Sequence, residues 1–187
     1  MTVPDDRESL RQLLRRWSIR RGEFTLASGQ KSDIYIDGKL TTLRAEAMPL
    51  VGRLFLQKIA GNGWAPRSVG GLTLGADPIA TAIAHESSCD GTPLDAFIVR
   101  KAAKAHGRQK FIEGLDDTQD VPVVIVEDVC TTGDSTAQAI ERALAAGMQV
   151  LGAICLVDRE SGGVERLRDR FGCQLDRIFT LREVTAD

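Results

Sequence analysis

The sequence predicts an α/β fold, a mainly parallel central sheet flanked by helices on both faces. Three observations carry this. From residue 42 onward, segments of strand character alternate with segments of helical periodicity. The apolar runs at 94–99, 121–126 and 150–157 are nearly continuous, as expected of strands covered on both faces. Several of these runs pass into a helix through a short turn of Gly, Thr and Ser, the junction that parallel α/β units use.

The elements follow in order. Asp5 or Asp6 can cap a first helix over 6–20, in which Leu10, Leu13, Leu14 and Trp17 share one face and arginines the other. Residues 22–37 read as two short strands around the Ser28-Gly29 turn. Thr41 or Thr42 opens a long helix through residue 60, with Ala47, Leu50, Val51, Leu54 and Ile59 inward and Gly61 and Gly63 ending it. A strand over 68–72 turns at Thr73-Leu74-Gly75 into a helix whose first turn suits Pro78. A strand over 94–99 precedes a basic segment. The strand over 121–126 leads through 131–136 into a helix with Ala137, Ile140, Ala143, Leu144 and Met148 on one face. A strand over 150–157, a helix over 162–171 and a last strand over 174–181 complete the chain. Repeats, low-complexity tracts and linkers are absent.

Composition narrows the function. The chain has 187 residues, enough for one domain over 1–187 with a substantial core. It is 43% hydrophobic and 27% charged, an ordinary balance for a soluble globular protein. A net charge of −2 implies no general attraction to nucleic acid. The four cysteines, Cys89, Cys130, Cys155 and Cys173, have no CxxC or metal-ligand spacing, and only two histidines, His85 and His106, are present. Reduced thiols and a cytoplasmic location are therefore expected. MTVPDDRESL is acidic and polar, unlike a signal peptide, and no apolar run reaches membrane-spanning length.

Two stretches carry chemistry. In VPVVIVEDVCTTGDSTAQAI, an apolar strand meets two acids, Glu127 and Asp128, then a loop of hydroxyl and small residues, then a helix start. The first helical N–H groups lack partners and carry the positive end of the dipole. Gly133 lets the backbone approach a ligand, and the hydroxyls of Thr131, Thr132, Ser135 and Thr136 can donate, so a phosphate suits the loop. Adjacent acids accept from vicinal hydroxyls or face a metal, so phosphate plus diol describes a ribose 5-phosphate. Neither GxxxxGK[ST] nor a GxGxxG after a strand is present. The second stretch is basic: Arg100, Lys101, Lys104, His106, Arg108 and Lys110 fall in a run without an acid, on a chain that is otherwise acidic. Such a loop fits a polyanion, Gly107 and Gly114 give it mobility, and the few nearby aromatics argue against nucleic-acid stacking.

The acid–hydroxyl stretch resembles the phosphoribosyl-diphosphate-binding motif of the type I phosphoribosyltransferases. F-x-L-x-S-G-x-x-S-x-x-Y (24–35), RKAAKAHGRQKFIEG (100–114) and Arg159 in Val157-Asp158-Arg159, matched to the family's V-D-R-x-E arginine, are similar to the hood, mobile loop and base-binding arginine of the orotate-specific branch. The resemblance spans about residues 20–160. It implies a type I phosphoribosyltransferase-like fold, with an N-terminal helix and hood over 1–40 on an α/β core over 41–187. It implies transfer of ribose 5-phosphate from phosphoribosyl diphosphate to orotate, a step of pyrimidine biosynthesis toward UMP. The implied diphosphate-sugar site is Arg100, Lys101, Lys104, His106, Glu127, Asp128, Val129, Cys130, Thr131, Thr132, Gly133, Asp134 and Ser135. Thr131, Arg159, Tyr35 and Ile36 would hold orotate. Lys101, Lys104 and His106 would be catalytic, stabilising the leaving diphosphate. Mg²⁺ would be held mainly through substrate, and the mobile loop would reach the neighbouring site of a homodimer. Nucleic acid and membrane are not expected partners. Two departures stand out: Ala27, and Gly75 after Leu74, occupy positions where the enteric form has lysines. Competing readings are a transferase for another base, against which Tyr35 and Arg159 weigh, and a non-catalytic sensor, against which the lid cations weigh.

Overall fold

The computed structural model describes residues 5–25, 31–102 and 111–186. Helix α1 (Asp6–Trp17) starts where expected, with the Asp5 carboxylate accepting from the Arg7 N–H, and buries Leu10 and Leu14. It ends three residues early. Ser18 is buried with its hydroxyl 2.7 Å from Thr41 Oγ1, and Ile19 already belongs to a strand. Strands β1 (Ile19–Thr25) and β2 (Lys31–Ile36) form an antiparallel two-stranded sheet in which Ile19 faces Ile36. The expected hairpin is present; its Ser28-Gly29 turn lies outside the described residues.

The long helix expected from residue 41 or 42 to 60 is instead two: α2 (Lys39–Thr42) and α3 (Met48–Gly61). Pro49 is the physical reason. In a continuous helix its ring would clash with the carbonyl four residues earlier, whereas a first turn tolerates it. Of the expected inward set, Ala47, Val51, Leu54 and Ile59 are buried and Leu50 is partly buried against the same core.

The main sheet then builds up: β3 (Ser68–Leu72), α4 (Ala76–Cys89), β4 (Asp95–Val99), β5 (Ile112–Glu113), β6 (Pro122–Cys130), α5 (Asp134–Ala145), β7 (Gln149–Asp158), α6 (Gly163–Phe171), β8 (Leu175–Thr180) and α7 (Leu181–Thr185). The strand order is β5-β4-β3-β6-β7-β8, parallel throughout except where β5 pairs antiparallel with β4. Strand β6 runs four residues beyond the expected end at 126, so Glu127 and Asp128 lie within the sheet rather than after it. Strand β5 and helix α7 were not expected. Helix α7 opens on a capping box, with Thr180 and Glu183 bonding each other's backbone N–H groups.

Each strand serves two cores. On one face Val69, Val124, Val126, Ile154 and Leu156 pack with Leu10 and Leu14 of α1, Val51 and Phe55 of α3, and Ile79 and Ile83 of α4. On the other, Val123, Ile125, Ala153 and Cys155 pack with Ala137, Ile140 and Ala143 of α5 and Leu167 of α6. This alternation explains why the apolar runs show no polar face. One inward residue was misplaced: Leu144 is 48% exposed. The buried stripe of α5 leans toward Thr136, Ala139 and Ala143, which turns Leu144 to solvent. Among the described residues no helix is long and apolar enough to cross a membrane.

Strands β3 and β6 are neighbours from which the chain order runs in opposite directions, so a crevice opens beyond their carboxyl ends. Away from that crevice, Gly152 of β7 lies beneath Trp64. A Cβ there would stand 2.2 Å from the indole ring. Gly152→Ala is therefore expected to destabilise the fold by about 1–3 kcal/mol through overpacking, read as a lower Tm.

Candidate active site

The crevice holds a cavity of ≈ 400 Å³ lined by Tyr35, Ile36, Lys39, Arg159 and the run 127–136. Four elements meet there: the hood strand β2, the start of α2, the end of β6 with the loop into α5, and the end of β7.

The acids come first. Glu127 and Asp128 are 5% and 8% exposed, the only carboxylates besides Asp158 among the buried described residues. Burial, followed by the neighbouring charge of Asp128, pushes the Glu127 carboxyl well above the usual carboxylate range. Thr136 Oγ1 donates to Glu127 Oε2 at 3.5 Å. That corrects the expectation for Thr136: its hydroxyl is buried and turned toward the acid, away from a phosphate in the loop. Asp128 Oδ1 accepts from the Val129 N–H at 2.9 Å. Glycines make the approach to Asp128 possible, since a Cβ on Gly75 would lie 2.4 Å from its Oδ1 and one on Gly38 2.9 Å from its Cβ.

The loop follows. Gly133 is in the left-handed region at φ 77° and is the residue from which α5 starts. The Ala137 N–H bonds the Gly133 carbonyl at 2.8 Å, closing the first turn and leaving the N–H groups of 134–136 at the helix start. Thr132 Oγ1 donates to Asp134 Oδ2 at 2.6 Å, and Arg166 pairs with Asp134 Oδ1 at 2.5 Å. Cys130 is buried, and its sulfur stands 2.5 Å from where a Cβ on Gly163 would be, so it fills the space under the loop as expected.

At the other end of the cavity Arg159 is half-buried. Its Nη2 donates to Ser32 Oγ at 3.1 Å and to the Ile34 carbonyl at 3.3 Å, tying the end of β7 to the hood. Desolvation lowers its pKa from the usual arginine value. Behind it the buried Asp158 accepts from Arg177 at 2.6 Å and from the Glu160 N–H at 2.8 Å, which holds the turn. Tyr35 is 43% exposed at the cavity, with its ring 5.4 Å from that of Phe24.

The structure thus gathers Tyr35, Ile36, Arg159 and the whole expected run 127–135 in one cavity. Arg100 is at the root of the basic segment, 3.3 Å from Glu113 of β5 and not among the cavity-lining residues. Lys101 is exposed, and Lys104 and His106 lie outside the described residues. Lys39 was missed. A cation directly after the hood strand, in Asp37-Gly38-Lys39, was the available signal. Chemically, the arrangement offers N–H and hydroxyl donors at a helix start, carboxyl acceptors beside them and a guanidinium at the hood.

Similarity to known proteins agrees with this geometry. A sequence profile of the phosphoribosyl transferase domain matches residues 42–181. A curated orotate phosphoribosyltransferase of Mycobacterium bovis is 46% identical over 162 residues, covering 87% of each chain. The crystal structure of Mycobacterium tuberculosis orotate phosphoribosyltransferase in complex with Fe(III) dicitrate superposes with a TM-score of 0.85 at 41% identity, covering 97% of this chain and 99% of that one. The same enzyme in complex with 5-phospho-α-D-ribosyl 1-diphosphate gives 0.80 at 37%, covering 96% and 99%. Fold and site alike define a phosphoribosyltransferase. Within that class, the chain belongs to the orotate phosphoribosyltransferase family.

The raised Glu127 carboxyl has a stability consequence. Between the ordinary glutamate value and its own, the native state holds a proton that the unfolded state has lost, so stability falls as pH rises through that window. Glu127→Gln removes the titration. Its Tm is expected to decline less than that of the wild type between pH 5 and pH 8, as followed by thermal melts.

Proposed function

We propose that this chain transfers ribose 5-phosphate from phosphoribosyl diphosphate to orotate, forming orotidine 5-phosphate and releasing diphosphate, a step toward UMP. One observation carries the reading. Buried acids, a hydroxyl loop at a helix start and an arginine under the hood line a single cavity.

The residues divide the work. The loop from Thr131 to Ser135 and the first N–H groups of α5 bind the 5-phosphate and so fix the sugar. Glu127 and Asp128 take the ribose hydroxyls. Thr131, Tyr35, Ile36 and Arg159 bind orotate, with the guanidinium gripping its carboxylate through parallel hydrogen bonds. The hood and the basic segment exclude water from the activated sugar. Arg100, Lys101, Lys104 and His106 stabilise charge on the departing diphosphate.

Mg²⁺ fits this donor set. Among the described residues no group of three or more His, Cys, Asp or Glu side chains could cage a metal, and the cavity offers the adjacent carboxyls of 127–128 and the ion-paired Asp134. So sparse a set suits a hard cation that takes most of its oxygens from substrate and water. Held mainly through substrate, Mg²⁺ would neutralise the leaving diphosphate.

The reading extends to a homodimer in which the segment bearing Lys104 and His106 serves the neighbouring site; the family resemblance of RKAAKAHG supports it. Mixing inactive Lys104→Ala and Asp128→Asn chains is expected to restore part of the activity. Absence of recovery after verified subunit exchange would count against shared sites. For the reaction itself, the protein is incubated with Mg²⁺, phosphoribosyl diphosphate and orotate, uracil, adenine or hypoxanthine. Nucleotide is expected from orotate alone. Arg159→Met is expected to raise the KM for orotate at least about tenfold through loss of a charge-assisted pair. Nucleotide formed from a purine instead would overturn the assignment.

A further inference from the structure

Lys39 opens α2 directly after the hood. Its N–H donates to Asp37 Oδ1 at 3.1 Å, which closes the turn between β2 and α2. Its ammonium lies 2.8 Å from Asp37 Oδ1 and 3.5 Å from Asp128 Oδ2. Among the described residues, Lys39 and Arg159 are the cations that line the cavity, and Lys39 is the one beside the acid pair.

The surroundings of Asp128 make this contact more than a surface ion pair. An exposed pair between mobile side chains is worth little. Here one partner is fixed: the Asp128 side chain is 11% exposed, while the lysine is 39% exposed and open to the cavity. The carboxylate is held on both oxygens, by the Val129 N–H at Oδ1 and by Lys39 at Oδ2. The backbone at Gly38 and Gly75 walls it in, leaving no room for even a Cβ on either residue. A carboxylate held this way has one orientation to offer a ligand.

Charge points the same way. Asp37 is the second carboxylate facing the ammonium. Without a cation, Asp128 would present an uncompensated negative charge to a ligand that is itself a polyanion. Like charges so close together, in a site partly closed to water, repel strongly.

We propose that Lys39 is a positioning residue for the sugar: its ammonium, shared with Asp37, orients the Asp128 carboxylate toward the ribose hydroxyls and offsets part of its charge as the polyanion enters. The role rests on the sugar-phosphate site of the proposed function and deepens it. Lys39 acts through Asp128, so its effect belongs to ligands that carry the diol, and a ligand that uses only the phosphate loop is indifferent to it.

Calorimetric titration in the presence of Mg²⁺ tests this, using ribose 5-phosphate and inorganic phosphate as separate probes on wild type, Lys39→Met and Lys39→Arg. Lys39→Met is expected to weaken ribose 5-phosphate about tenfold and phosphate less than about twofold. Lys39→Arg, which keeps the charge and the donor, is expected to recover ribose 5-phosphate affinity to within about threefold. A merely structural lysine would move neither probe, or both together, and arginine would not rescue it; either result overturns the proposal. Equal losses for the two probes would place the ammonium on the phosphate and would likewise overturn it. Failure of the wild type to bind ribose 5-phosphate would remove the sugar-phosphate site itself, and with it the role of Lys39.

Discussion

The constraint on which the structure depends is the burial of two adjacent carboxyls at the end of a central strand. Removing carboxylates from water is costly unless they are hydrogen-bonded, paired or neutralised. Here all three occur. Glu127 is driven toward its neutral form with Thr136 at hand, and Asp128 is bonded by the Val129 N–H and approached by Lys39. The neighbourhood is shaped around them. Glycines at 38 and 75 let two backbone segments close in, and the chain carries β6 past its apolar run to reach them. A segment optimised for stability alone would not place acids there; under the proposed function the sugar hydroxyls would resolve the conflict.

The remaining architecture supports that strand end. Two cores, one on each face, fix the sheet from both sides and leave the carboxyl edges of β3, β6 and β7 as the open rim. Gly163 packs beneath the loop against Cys130, so α6 sets the height of the 131–133 turn above the sheet. The Asp158–Arg177 pair braces the neighbouring strand end, from which Arg159 extends to the hood.

Legibility in the sequence followed the range of the information. The run 127–135 was readable because strand, acids, hydroxyls and helix start are contiguous, and local chemistry dictates local geometry. Arg159 was singled out by the resemblance of its Val-Asp-Arg segment to the family's base-binding arginine, since a strand-end arginine by itself says little. Lys39 was not, because its partner Asp128 is 89 residues away and only the folded hood brings them together. The break between α2 and α3 was signalled by Pro49 but masked by apolar periodicity that continues across it. The Thr180–Glu183 capping box was visible, yet the strand pattern before it claimed Leu181. Strand β5 has two residues, too few for any period to register. The expected face of α5 was right at Ala137, Ile140, Ala143 and Met148 but drawn too wide at Leu144, which the fold turns out.

Arg159 also works as a clasp. Both of its bonds, to the Ser32 hydroxyl and the Ile34 carbonyl, use the single nitrogen Nη2 of a five-donor fork. One side chain at the end of β7 thereby reaches across 125 residues of sequence to β2, and the two-stranded sheet is fastened to the main one without sharing a strand with it.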